Sequence, residues 1–174
     1  MTEVTRHRPK FSLFRGKKTL EGINVLPEPG ESVRFVSPAG GFSSCCVVMA
    51  IAERTKIHKV NLSTLRIGKK ELKALKSLNI PSVSVCLGGI AKENAAKYDY
   101  ARWVDFAVNN WGWQAVYMRN HSKIILLDTD AGKITIETSS NFNENPQIEQ
   151  FCLTNDDEVY RFYLDEFRKF GAWG

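Results

Sequence analysis

Two apolar runs separated by Asp130-Ala131-Gly132 constrain this chain more than any other stretch of it. The first is Ile124-Ile125-Leu126-Leu127, preceded by His121, Ser122 and Lys123 and followed by Asp128. The second is Lys133-Ile134-Thr135-Ile136-Glu137-Thr138, followed by Ser139, Ser140 and Asn141. Alternating β-branched residues on either side of a short glycine-containing turn predict an antiparallel hairpin. Its strands are expected over His121–Asp128 and Lys133–Asn141. A three-residue turn, with Gly132 in the left-handed position, makes Thr129 face Lys133. Lys123 is then expected opposite Ser139, and His121 opposite Asn141. Side chains alternate along a strand, so these four polar groups would share one face of one sheet. A slip of one residue would undo the arrangement. An imidazole, an ammonium and neutral donors gathered on one face suit attack on a phosphate diester.

The rest of the chain alternates strand and helix signals. Strands are expected at Val33–Val36, Lys59–Leu65, Ser82–Leu87, Gln114–Met118 and Glu149–Leu153. Helices are expected from Ser43 or Ser44 to about Arg54, over Lys69–Leu78, from about Lys92 to Asn110, and over Asp156–Phe170. This order predicts the α/β class, a mixed β-sheet flanked by helices on both faces. A chain of 174 residues is long enough for one such domain with its own core. Residues 1–30, polar and basic and edged by Pro9, Pro27 and Pro29, are expected to form a basic N-terminal arm ahead of a catalytic domain over 31–174.

Charge is unevenly distributed. Residues 1–76 carry 15 Lys and Arg against 6 acids, whereas residues 128–174 carry 4 against 10. A basic half attracts polyanions through counterion release, although it also suits a solubilising surface. Arg66, Lys69, Lys70, Arg15, Lys17 and Lys18 are the candidate nucleic-acid contacts. Trp103, Phe106, Trp111 and Trp113 read as core or dimer interface in preference to a base-stacking platform. No apolar stretch approaches the roughly 20 residues of a membrane span. The first residues lack the apolar core of a signal peptide, so a cytoplasmic protein without a membrane partner is expected. Cys45, Cys46, Cys86 and Cys152 show no ligand spacing with His7, His58 or His121, so no metal site is expected.

His121-x-Lys123 followed by four residues and Asp128, then Ser139-x-Asn141 after a hairpin and Glu149 beyond it, resembles the phospholipase D superfamily. Thr138 stands where that family usually has glycine. The resemblance implies a phospholipase D-like domain in which His121 attacks phosphorus and forms a covalent phosphohistidine. Lys123 and Asn141 would hold the phosphate oxygens, Ser139 would donate to them, and Glu149 would orient the imidazole. Asp128, on the opposite strand face from His121, is given a structural role. No metal or other cofactor is implied. The mechanism calls for a second histidine, and neither His7 nor His58 opens another such motif. A homodimer through the active-site face, each chain giving one His121, is therefore expected. The activity expected is a metal-independent nuclease acting on DNA or RNA. The alternatives are a phospholipid-hydrolysing enzyme and a weakly catalytic nucleic-acid-binding module of the same fold.

Overall fold

Four consecutive apolar residues, Ile124 to Leu127, have no polar side to turn to water, and the chain answers by burying them from both faces. In the computed structural model, which describes residues 10–13, 20, 24–37, 42–89, 99–144 and 146–174, they lie in an interior strand. The strands are β1 (Lys10–Leu13), β2 (Ser32–Ser37), β3 (Ile57–Thr64), β4 (Ser82–Gly88), β5 (Gln114–Met118), β6 (Ile124–Thr129), β7 (Gly132–Thr138) and β8 (Glu149–Asn155). They form one sheet in the order β1-β2-β8-β7-β6-β3-β4-β5. The described helices are α1 (Ser44–Ala52), α2 (Lys69–Ser77), α3 (Tyr100–Trp111) and α4 (Asp157–Lys169).

Alternation along β6 divides the core. Ile125 and Leu127 enter a large cluster with Val47, Ile51, Leu72, Leu75, Val104 and Ala107 of α1, α2 and α3. Ile124 and Leu126 enter a smaller one with Tyr160 and Phe167 of α4. The sheet is mixed: β3, β4 and β5 run parallel, while β6, β7 and β8 are successive antiparallel neighbours. Each parallel step needs a crossover, which α2 supplies between β3 and β4. The expected mixed sheet with helices on both faces is what forms. Helix α4 begins where Asp156 Oδ1 accepts from the amides of Glu158 at 2.8 Å and Val159 at 3.1 Å. Asp157 and Glu158 occupy its first turn and Arg168 and Lys169 its last, matching the helix dipole. The helix expected from Lys92 is described from Tyr100 onward; the intervening stretch lies outside the described residues. Of the expected N-terminal arm, Lys10–Leu13 pair with β2 as a parallel edge strand and Val25 is buried in the larger core. Arg15, Lys17 and Lys18 lie outside the described residues.

The hairpin forms, but its register differs by one residue from the expectation. Thr129 pairs with Gly132, Leu126 with Thr135 and Ile124 with Glu137. The turn is the two-residue Asp130–Ala131, and Gly132 opens β7 at a φ of 129°. The cause is local capping by side chains. Thr129 Oγ1 accepts from the Ala131 amide at 3.1 Å and donates to the Gly132 carbonyl at 2.9 Å. Asn155, at the end of β8, donates to the Ala131 carbonyl at 3.0 Å and fills the space that a side chain at 132 would need.

Candidate active site

The sheet ends that carry the site are the start of β6, the end of β7 and the start of β8. Both hairpin strands stop before the polar residues: β6 begins at Ile124 and β7 ends at Thr138. His121 and Lys123 thus precede the strand rather than standing on it, which corrects the expected strand over His121–Asp128. The segment is fixed by its inward-facing neighbours. Asn120 Nδ2 donates to Ser63 Oγ at 2.9 Å, the Cys86 carbonyl at 3.1 Å and the Thr64 carbonyl at 3.3 Å, tying it to β3 and β4. Its Oδ1 accepts from the Ser122 amide at 3.0 Å and hydroxyl at 2.7 Å. With Asn120 and Ser122 turned to the sheet, His121 is exposed and Lys123 half-buried at the surface.

Lys123 Nζ lies 2.8 Å from His121 Nδ1 and donates to the His121 carbonyl at 2.6 Å. An ammonium has only protons to give, so Nδ1 accepts and the ring proton sits on Nε2. Partial burial pulls the Lys123 ammonium below the ordinary lysine value of 10.5, opposed by the negative charge of Glu149. Glu149 is itself buried, at 6% exposure. Its carboxylate accepts from the Ser139 hydroxyl, and its amide donates to Ser37 Oγ at 3.2 Å. Ser139 Oγ in turn accepts from the Gln150 amide at 3.0 Å. The single hydroxyl proton of Ser139 is thereby directed to Glu149, and the imidazole bond described is to Lys123.

The one-residue register difference shows in the remaining partners. Thr138, not Ser139, pairs with Lys123, through its amide to the Lys123 carbonyl at 3.2 Å. The Thr138 hydroxyl donates to the Gln150 carbonyl at 2.7 Å and accepts from the Ser140 amide at 3.0 Å, ending the strand. Asn141 does not stand opposite His121. Its Oδ1 accepts from Thr64 Oγ1 at 3.5 Å, and its carbonyl from Ser44 Oγ at the start of α1 at 3.2 Å. The fully buried Phe142 pins this stretch, donating to the Arg66 carbonyl at 3.1 Å and accepting from the Gly68 amide at 2.9 Å. Asp128 lies at the far end of β6, 2.5 Å from Lys133 Nζ.

Arg66, Lys69 and Lys70 are exposed around the start of α2, beside the loop that carries Phe142. Lys69 Nζ sits 3.6 Å above the Trp103 ring. The aromatic group passes from core to surface: Trp113 is buried, Trp111 packs on it at 5.2 Å, and Phe106 is 45% exposed.

An open cleft of about 830 Å3 adjoins the His121–Lys123 pair on the α4 face of the sheet. His121, Lys123, Thr138 and Ser139 line it together with Arg34, Ile124, Glu137 and Cys152. The last four are successive partners across β2, β8, β7 and β6. Glu137 Oε1 accepts from Tyr163 Oη of α4 at 2.5 Å. Burial and then that carboxylate push the Tyr163 hydroxyl above its usual range. Burial also raises the Cys152 thiol, with Thr154 and Arg34 opposing and Glu137 adding. Sequence reading did not single out Asn120, Ser122, Arg34, Glu137 or Tyr163. For Arg34 a signal existed, since it alternates with the inward Val33 and Phe35. For Asn120 none did, because the strand residues to which it donates lie 34 to 57 residues away.

No protein-family model matches this sequence, and no curated protein matches it either. Solved structures do. A polyphosphate kinase from Porphyromonas gingivalis superposes with a TM-score of 0.53 at 17% identity, over 71% of this chain and 23% of that one. A phosphatidylserine synthase from Haemophilus influenzae superposes at 0.52 and 15% identity, over 83% of this chain and 39% of that one. The chain therefore spans well under half the length of either protein. What these superpositions show is a shared fold, a single α/β domain with a mixed sheet of the phospholipase D type. No described helix is long and apolar enough to cross a membrane.

Proposed function

We propose that this chain is a metal-independent phosphodiesterase of the nuclease type, working through a covalent phosphohistidine on His121. The observation that carries the reading is the Lys123–His121 pair at 2.8 Å on the rim of an open cleft, with Ser139, which donates to the buried Glu149, lining the same cleft. In the free chain the ammonium caps the basic ring nitrogen. A phosphate diester offers Lys123 a better acceptor, because charge-assisted bonds to phosphate oxygens are about twice as strong as neutral ones. Transfer of the ammonium to the non-bridging oxygens uncovers the imidazole and neutralises charge that grows as phosphorus is attacked. Attack through Nε2 needs the ring proton to pass, by exchange with solvent, from Nε2 to the uncovered Nδ1, where Glu149, whose charge already acts on Lys123, would accept its hydrogen bond.

In the first step the N–P bond forms and the bond from phosphorus to the leaving oxygen breaks. That oxygen takes a proton from the His121 of a second chain. In the second step water adds to phosphorus, the N–P bond breaks, and the partner imidazole recovers its proton. The exposed Arg66, Lys69 and Lys70 around the start of α2 favour a nucleic-acid strand as the diester, by neutralising neighbouring phosphates.

The test is cleavage of single- and double-stranded DNA and RNA with EDTA present, beside a molar-mass measurement. Activity in EDTA, a phosphorylated protein trapped by an alkaline denaturing quench, and a dimer are expected. Loss of activity on chelation, or full activity in His121→Ala, would overturn the mechanism. Hydrolysis of phospholipid with no cleavage of nucleic acid would overturn the substrate.

A further inference from the structure

The cleft beside His121 contains a cation that the proposed chemistry leaves unused. Arg34 stands at the centre of β2, half-buried in the cleft wall. Among the described residues its guanidinium has neither an ion-pair nor a hydrogen-bond partner. The carboxylate on the same wall, Glu137, is held by Tyr163 Oη instead. A guanidinium left unmatched in a partly desolvated wall is costly unless something anionic visits it, and its planar fork fits the oxygens of a phosphate.

Register fixes where that visitor would lie. Arg34 pairs with Cys152, Cys152 with Glu137, and Glu137 with Ile124, the residue after Lys123. Three strand spacings separate the two ends of this row, roughly 14 Å. Successive phosphates of a duplex strand advance by only about 3.4 Å along the axis, so a strand laid along this row brings more than one phosphate between its two ends. The cleft volume of about 830 Å3 lies within the range of roughly 300–1,000 Å3 for pockets that hold whole ligands. It has room for more than one phosphate group.

We infer that the cleft is a groove for at least two phosphates, in which Lys123 takes the reacting one and Arg34 binds another phosphate of the same strand. The substrate class is then a polyphosphodiester, a nucleic-acid strand, and not a diester with a single phosphate. Glu137 sets the groove's limits: its carboxylate disfavours an oxygen placed midway and leaves the two cations as separate contacts. The inference rests on reading His121 as the reacting residue only in assigning which phosphate is attacked.

The experiment measures binding of a fluorescein-labelled single-stranded oligonucleotide by anisotropy, over a salt series, to His121→Ala protein with and without Arg34→Ala. Loss of Arg34 is expected to weaken binding about 10-fold or more. It should also lower the slope of log affinity against log salt by about 0.7, the value for one phosphate contact on a single strand. In the protein with His121 intact, Arg34→Ala should slow oligonucleotide cleavage by a larger factor than it slows hydrolysis of bis(4-nitrophenyl) phosphate. If Arg34→Ala folds poorly, Arg34→Gln keeps the stem and gives the same readout. Equal affinity and equal salt slope with and without Arg34, or no oligonucleotide binding at all, overturn the inference. Arg34-dependent binding in a chain that cleaves no diester sustains the groove and overturns the proposed activity. Cleavage that ignores Arg34 does the reverse.

Discussion

The two ends of the β6–β7 hairpin carry similar residues and treat them oppositely. At the turn end both hairpin carboxylates meet a basic side chain: Asp128 meets Lys133 at 2.5 Å, and Asp130 meets His58 at 2.6 Å. At the open end the cations stay apart from carboxylates. Lys123 leans on a neutral imidazole and on a carbonyl, Glu149 is taken by a hydroxyl, and Arg34 has no described partner. Ion pairs at the turn are mutually satisfied and gain nothing from an anion. Cations held apart at the open end are ready to accept one. The two ends thus differ not in charge content but in whether the carboxylates beside the strands meet a cation.

The sharpest way to break the comparison is substitution at the open end. His121→Ala and Lys123→Met are each expected to lower diester cleavage at least 100-fold, the scale of removing one preorganised group from a reacting centre. The Lys123→Met chain should melt no lower than the parent, because it removes a partly desolvated ammonium. A calorimetric scan beside the cleavage assay checks both. Next in size is Phe142→Ala, which leaves both ends chemically intact but empties a fully buried site under the Asn141 loop. It should cost about 3–5 kcal/mol by urea unfolding.

Asn120→Ala should come third, at about 1–3 kcal/mol, by leaving buried acceptors on β3 and β4 unpaired. Because Asn120 fixes the backbone before His121, cleavage by the folded enzyme should fall as well. The smallest effect belongs to the turn. Asp128→Asn should change stability by about 0.2–1 kcal/mol, since its pair with Lys133 is about one-third exposed on both sides. Cleavage should be unaffected, and a turn-end substitution that impaired catalysis would erase the distinction.

Titration sharpens the same contrast. Activity requires charged Lys123, whose value is depressed by burial, so cleavage should fall as pH rises through a point below 10.5. Lys123→Arg should carry that alkaline limb out of the measurable range in whatever activity it retains. The stability effect has the opposite sign. Below 10.5 the unfolded chain holds a proton that the folded chain has already released, so this group makes the fold more stable as pH rises through that window.

Local pattern made much of this legible. Alternation in β6 and β7 gave the hairpin, the apolar stretch Ile124–Leu127 gave an interior strand, and Asp156 gave the start of α4. Where side chains from distant segments decide, local pattern fails. The turn length depends on Asn155, at the end of another strand, and on the Thr129 hydroxyl. The position of Asn141 depends on Thr64 and Ser44, far upstream. Arg34 enters the site only through the pairing of β2 with β8, more than a hundred residues apart. The sequence motif thus pointed to His121 and Lys123, while the cleft around them had to be seen in three dimensions.

The two-residue turn has a consequence for how such a chain can change over generations. With Thr129 opposite Gly132, continued pairing would turn Lys123 and Ser139 to opposite sides of the sheet. They meet in one cleft because both strands give way just before them, at Ile124 and at Thr138 with its capping hydroxyl. Turn length and the place where pairing stops are therefore one inherited unit. A descendant that gained a residue at Asp130–Ala131 would have to shift that break in the same lineage. Thr138 and Asn155, remote from each other on β7 and β8, would then drift together or not at all.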